Sequence, residues 1–435
     1  MLELEKGARL TRRAFLKGLG LGLLTAGTGL GWDRALVRAQ AQTQEELPIG
    51  VLAPLVLDVG QSTIRGAELA AEEINQAGGI LGKRIKLALR DDQTSPSAAK
   101  LAFEDLVVNE GVVTIVGEFL DEVMISLMPL IAQFKMPFLD TGSSMTATNE
   151  MVAQDYENYK YYFRVMFNTD VLTMDMERLA RELLRDELGL SKLGLLLEEG
   201  IWGRDMQGFL EERLPELGFS VITVFFPLEQ RDFGPMLSQL KDAEVEAMLV
   251  AFAYNDGINF VNLWYLTKCP IRVFGINVSG QAYEYWADTK GRVVSHVYAD
   301  AATEATAVTE KTLPFYQSYI QAYRLRPVRP LYTAYSTYDA LYILKEAIER
   351  AGGADDPDLL VAELEKTDYI GTVGRVVFNG LDSPYPHDMK YGDEYVVPKW
   401  VQWQRDVGGR GKREVVYPPQ YRTSPYLPPP WLGGR

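Results

Sequence analysis

Two rhythms of apolar and polar positions alternate along this chain. Short runs dominated by Val, Ile and Leu, bounded by Gly, Pro or Asp, recur between longer stretches in which apolar residues return every three to four positions. The first rhythm predicts buried parallel strands, and the second predicts amphipathic helices packed on them. Residues 113–144 hold one full unit. They read as a strand over 113–116, a glycine, a short loop, a helix over about 121–134, a strand over 137–139 and a loop of small residues over 140–144. In open parallel sheets, ligands bind beyond the carboxyl ends of the strands. The loops 118–121 and 140–144 therefore read as half of a small-molecule site.

The same rhythm extends in both directions. A strand over 48–54 precedes a helix over 60–77, in which Ile64, Ala67, Ala71 and Ile74 share one face and Gly78-Gly79 supply the stop. A strand over 85–89 and a helix over 96–109 follow. Residues 151–168 predict a strand that carries the chain into a second lobe. There, helices over 170–188, 204–217, 233–243 and 256–266 alternate with strands over 193–197, 221–226, 247–252 and 273–276. The chain is expected to cross back around 294–301, to add helices over 313–324, 334–351 and 357–366, and to cross again in a strand over 373–378. From Ser383 onward Pro, Tyr and Trp accumulate. That predicts an extended segment laid along the surface, with a proline-motif ligand for another domain as the alternative.

Composition narrows the class. The chain has 435 residues, 47% hydrophobic and 24% charged, which is globular and long enough for two or three domains. A formal net charge of −15 argues against a nucleic-acid partner, because phosphate binding needs a basic face. Residues 1–41 read as an export signal: Thr11-Arg12-Arg13-Ala14-Phe15-Leu16-Lys17 is a twin-arginine pattern, a glycine-rich apolar run over 18–31 follows, and Ala39-Gln40-Ala41 is a cleavage candidate. The run is shorter than the roughly 20 residues a spanning helix needs. The signal has no cysteine. The expected product is a soluble periplasmic protein, exported through the twin-arginine translocon, cleaved and not lipid-anchored.

Enzyme chemistry leaves no signature. Cys269 is the single cysteine, so no intrachain disulfide forms, and no base partner for it is evident. The two histidines, His296 and His387, lie far apart, and no H-x-x-x-H, C-x-x-C, G-x-S-x-G or Walker pattern occurs. The expectation is a protein without catalytic residues, metal or cofactor.

Several motifs fall in an order that resembles the periplasmic solute-binding proteins of branched-chain amino acid and amide ABC transporters. The most specific is Gly66-Ala-Glu-Leu-Ala-Ala-Glu-Glu-Ile-Asn-Gln-Ala-Gly-Gly-Ile80 with Gly82-Lys83; Pro48-Ile-Gly-Val-Leu52, Arg90-Asp-Asp92, the 113–117 and 137–142 segments and Arg231-Asp-Phe233 support it. The resemblance covers about 48–378. It implies a type I periplasmic binding fold: α/β, with two Rossmann-like lobes of parallel sheet joined by three crossover strands and a ligand held in the cleft. On that pattern, 47–165 plus 301–372 form lobe I, and 166–300 plus 373–435 form lobe II. The implied partners are a small-molecule ligand and an ABC permease in the inner membrane. A receptor docking on a membrane sensor, or an enzyme on the same scaffold, are the alternatives.

The family's ligand positions carry over to Phe119, Leu120 and Asp121 in the loop after the third strand, and to Ser143, Ser144 and Met145 in the small-residue loop. They also carry over to Trp202 at the edge of the second lobe, Tyr254 after the 247–252 strand, and Asn277, which stands where an acidic residue usually meets the ligand's ammonium. Asp121 stands where the family has a serine at a helix start, a place that favours an anion. A carboxylate there is read as an N-cap that takes the anion site itself. With Asn277 uncharged as well, both ends of an amino-acid clamp are altered. The ligand expected is an amide, urea-like, aromatic or other neutral or cationic compound rather than a simple α-amino acid.

Overall fold

The computed structural model describes residues 45–325 and 331–433, and the expected export signal over 1–41 lies outside them. Two sheets organise the described chain. The first is built from β1 (Glu46–Ala53), α1 (Asp58–Gln76), β2 (Arg84–Asp91), α2 (Pro96–Val108), β3 (Ile115–Gly117), α3 (Asp121–Phe134), β4 (Phe138–Asp140), two short helices, α4 (Ala147–Gln154) and α5 (Tyr156–Tyr159), and β5 (Tyr162–Arg164). Its strands run in the order β2-β1-β3-β4-β5, every pair parallel. Parallel neighbours joined through helices are the βαβ arrangement the alternating pattern predicts. Most of 151–161 is helix or turn rather than the strand expected from the sequence. Thr148, Asn149 and Val152 are the buried positions of α4, a helical spacing that the surrounding charge obscures.

The second sheet takes up β6 (Lys192–Glu198), β7 (Ser220–Phe226), β8 (Ala247–Phe252), β9 (Arg272–Asn277) and β10 (Val297–Asp300). These strands alternate with α6 (Thr169–Leu179), which continues as a π-helix over Ala180–Glu187, then α7 (Ile201–Glu216), α8 (Gly234–Asp242), α9 (Ile258–Leu266) and the short α10 (Tyr285–Asp288). Neighbouring residues of one strand supply opposite cores: Leu195, Leu197 and Leu249 face one side, while Leu196, Val250 and Phe252 face the other. A sheet covered on both faces reads as an unbroken apolar run, which is why these strands were legible.

The chain then returns to the first lobe with α11 (Thr312–Tyr323), α12 (Tyr332–Ala351) and α13 (Pro357–Leu364). Phe315, Tyr335, Ile343 and Leu344 join the core of Ile49, Val51, Phe103 and Leu139. Two motif glycines are fixed by contact. A Cβ on Gly66 of α1 would stand 2.3 Å from the carbonyl oxygen of Ala334 on α12. At the end of β3, Gly117 has φ +123° and a Cβ there would stand 2.2 Å from the Leu52 carbonyl.

The domain boundary expected at 372/373 moves. β11 (Asp368–Ile370) and β12 (Arg375–Val377) form a small antiparallel hairpin, not a crossover. Val373, Val376, Phe378, Met389 and Val396 lie in the first core. Only one alternate residue of each three-residue strand is buried, so the hairpin covers the first lobe instead of threading between lobes. The chain passes over near Pro398 into β13 (Lys399–Arg405), which pairs antiparallel with β10 and with β14 (Gly411–Tyr417). The second sheet is therefore β14-β13-β10-β9-β8-β6-β7. The composition from Ser383 onward predicts an extended tail here, and the structure differs. The first six residues of β13, Lys399–Gln404, are all buried, and the Asp406-Val-Gly-Gly409 turn is a hairpin signal. Beyond it the extended description holds: Tyr426 stacks on Phe274, and the indole N–H of Trp431 donates to the Cys269 carbonyl at 2.8 Å. Among the described residues, no helix is long and apolar enough to cross a membrane.

Candidate functional site

The carboxyl ends of the parallel strands of both sheets face one cavity of about 690 Å3, part of it open to solvent. From the first lobe it receives Phe119 and Asp121 after β3, Gly142 and Ser144 after β4, Met166 and Phe167 after β5, and Tyr332 at the start of α12. From the second come Trp202 after β6, Ala253 and Tyr254 after β8, Val278 and Gln281 after β9, and Asp300 at the end of β10. The lining is mostly apolar and aromatic with a few polar groups, the usual make-up of a small-molecule pocket.

Asp121 is the centre of its polar wall. It is the first residue of α3, inside the first turn; Leu120 holds the N-cap position, and no side chain caps the helix. The expected N-cap role is thus corrected. Because the loop after β4 passes beside the helix start, Oδ1 of Asp121 accepts the backbone N–H groups of Ser144 at 2.7 Å and Met145 at 3.0 Å. Burial pushes its pKa up to about 6, against the pull of those N–H groups and of Arg164.

The small-residue loop is held from two further directions. Oδ1 of Asp140 accepts from the N–H of Gly142 and Ser143, and Arg164, fully buried, donates to the Met145 carbonyl at 2.6 Å. Arg164 also donates to both carboxylate oxygens of Asp388, at 3.0 and 3.2 Å. On the facing wall Asp300 is paired with Arg413, and burial raises its pKa to about 6.

The two lobes meet over the cavity. The rings of Phe119 and Tyr254 touch edge to face at 6.0 Å, and the Tyr254 hydroxyl donates to Glu122 at 3.4 Å. The cleft is closed in this conformation.

Of the positions singled out in the sequence, Phe119, Asp121, Ser144, Trp202 and Tyr254 stand together on the cavity wall. Leu120, Ser143, Met145 and Asn277 are not among its lining residues. Leu120 and Met145 are buried beside it. The hydroxyl of Ser143 donates to Asp140. Asn277 donates to the Tyr285 hydroxyl at 3.1 Å and accepts the N–H of Gly280 at 2.8 Å, a local brace for the chain after β9.

The sequence reading missed Tyr332, Phe167, Gln281 and Asp300. Asp300 ends β10 and Gln281 comes four residues after β9, so the rule about carboxyl ends was a usable signal for them. Tyr332 arrives through the packing of α12, which no local pattern announces. Two lining groups are orphaned: the indole Nε1 of Trp202 and Oε1 of Gln281 are buried with no hydrogen-bond partner among the described residues.

The other titratable candidates are structural. His296 is buried and bonded to the Tyr298 hydroxyl, and burial lowers its pKa to about 3. His387 stacks on Phe163 at 4.0 Å and bridges the Tyr162 carbonyl and Glu365. No group of three or more His, Cys, Asp or Glu among the described residues is arranged to hold a metal.

Comparison with known proteins agrees with this architecture. A family model described as "Periplasmic binding protein" matches residues 46–391. The Leu/Ile/Val-binding protein homolog 7 of Brucella melitensis is 24% identical over 393 residues, covering 88% of this chain and 94% of that protein. A structure described as a putative branched-chain amino acid ABC transporter from Silicibacter pomeroyi superposes with a TM-score of 0.76 at 21% identity, covering 89% of this chain and all of that one. A solute binding protein of an ABC transporter from Rhodopseudomonas palustris, solved in complex with 3,4-dihydroxy benzoic acid, gives a TM-score of 0.71 at 21% identity, covering 84% and 95%.

Proposed function

Because this chain belongs to the periplasmic binding protein family, we propose that it is the substrate-binding component of an ABC transporter for a small solute. The observation that carries the proposal is the cavity itself, formed from strand ends of both lobes and covered where Tyr254 meets Phe119 and Glu122. A solute lodged there touches both lobes only when they are together. Its binding energy therefore shifts the population toward the closed form, with bending at the segments that pass between the lobes. An ABC permease then reads the closed shape. Phe119, Asp121, Ser144, Trp202 and Tyr254, joined by Tyr332, Gln281 and Asp300, are the proposed ligand contacts. Leu120, Ser143, Met145 and Asn277 support the wall from behind. The solute is bound and released unchanged, and no cofactor takes part. Export by the twin-arginine translocon and a cleaved, unanchored periplasmic product complete the proposal.

The test is direct. Mature protein is purified without dialysis and denatured, and the released small molecules are identified by mass spectrometry. The compound is then returned to stripped protein while the radius of gyration is followed by X-ray scattering. Recovery of one unaltered solute that contracts the protein is the expected result. A solute converted to product, or no contraction with any recovered compound, would overturn the reading.

A further inference from the structure

We infer that the cavity takes an organic ammonium compound, one with N–H donors and a compact aromatic or apolar body, and that it rejects carboxylates. This rests on the receptor reading above and deepens it.

Charge is the first argument. Among the described residues lining the cavity and the pocket adjoining it at Asp121, Trp202 and Tyr254, every charged side chain is a carboxylate: Asp121 and Asp300 in the cavity, Glu122, Glu198 and Glu199 beside it, of which Glu199 is paired with Arg204 and Glu198 accepts three backbone N–H groups. Asp300 already has its cation, since Arg413 donates to it and to the Gln281 carbonyl, with Lys399 also near. The first-lobe wall has no such balance. There one buried guanidinium, Arg164, faces three carboxylates, Asp121, Asp140 and Asp388. Uncompensated negative charge in a low-dielectric wall draws a cation and repels an anion.

Shape and hydrogen bonding point the same way. Phe119, Phe167, Trp202, Tyr254 and Tyr332 bring five aromatic rings to the cavity, and ring faces attract ammonium groups. Gln281 is 6% exposed, and its unpartnered Oε1 is an acceptor awaiting an N–H. The N–H groups of Ser144 and Met145, the natural cradle for a ligand carboxylate, are already taken by Asp121. The indole N–H of Trp202 leaves room for one hydroxyl or carbonyl oxygen on the ligand.

The experiment uses three probes of one shape and different charge on stripped, full-length mature protein: 2-phenylethylamine, 2-phenylethanol and phenylacetate, with leucine as a fourth, by titration calorimetry. The amine is expected to bind at least about tenfold more tightly than the alcohol, with phenylacetate and leucine weaker still. Asp121→Asn keeps an oxygen to accept the two N–H groups. It is expected to cost the amine at least about tenfold more than it costs the alcohol. Tighter binding of phenylacetate or leucine than of the amine would overturn the inference, as would an unchanged amine affinity in D121N or no binding of the amine. A carboxylate that binds and contracts the protein would leave the receptor reading standing, whereas absence of any contracting solute removes both.

Discussion

Replacing Arg164 by methionine is the sharpest probe of how the candidate site is held. The guanidinium is fully buried. It makes two hydrogen bonds to Asp388 and one each to the Met145 carbonyl and the Thr148 hydroxyl, and its Nε lies 3.6 Å from Asp140. Removing one partner of a buried ion pair typically costs about 3–5 kcal/mol, because the remaining charge is stranded. Two stranded carboxylates and a loosened loop put R164M near the upper end of that range. The double variant R164M/D388N removes one stranded charge and is expected to regain about 1–3 kcal/mol.

The pH dependence has a definite sign. Burial already holds the native pKa of Asp388 at about 6, with Arg164 opposing that rise. Loss of Arg164 moves it higher, so the native variant binds more protons than the unfolded chain and loses stability as pH rises above about 4. The R164M deficit should therefore shrink between pH 7 and pH 5. Urea unfolding followed by tryptophan fluorescence, on ligand-free protein at both pH values, measures all three quantities. A deficit below about 1 kcal/mol, or a double variant no more stable than the single, would refute the account of Arg164 as the cation holding this loop.

Other expectations follow from single contacts. Gly66→Ala forces α1 and α12 apart and should destabilise by about 1–3 kcal/mol, read by thermal unfolding. Trp403, buried in β13 with its indole N–H on the Gly280 carbonyl, should cost about 3–5 kcal/mol as alanine, read by urea titration. Burial keeps native His296 neutral down to about pH 3, while the unfolded chain protonates near about 6.5. That residue's share of stability therefore falls as pH drops through this window. His296→Gln should become more stable relative to wild type by up to about 1.4 kcal/mol per pH unit below about 6, and parallel curves for the two proteins would contradict it.

The sequence revealed most where one physical cause acted alone. The strands of the second lobe are sandwiched between helices, so their apolar runs are continuous and their limits fell within two or so residues of the observed ones. α3 was legible to its ends because Gly117 precedes it and Pro137 follows it, and in the structure a left-handed Lys135 ends it. The errors arose where composition and geometry disagreed. Charge and tyrosine hid α4, and proline and tryptophan on both sides of a hairpin hid β13 and β14. The loops of the site were found from the rule of strand ends, but which side chain turns inward was not. Asn277 sits at the end of β9 and still turns toward Tyr285, because the buried Tyr285 hydroxyl lies within its reach. Asp121 is an unusual residue at a helix start, and that much is visible in the sequence. Its real partner, a loop 23 residues away in sequence, is tertiary information.

The antiparallel hairpin that ends the second sheet bears on how the protein is made. Chains emerge from synthesis in order, and domains fold as their segments become available. The first sheet can pair fully once residue 164 has appeared. β10, however, borders a strand that begins at Lys399, so it waits through nearly a hundred residues that belong to the other lobe. During that interval the second lobe carries a bare strand edge, the surface on which neighbouring chains add to one another. The strand that covers β10 is thus among the late pieces to arrive, and the exposed interval lasts until it does.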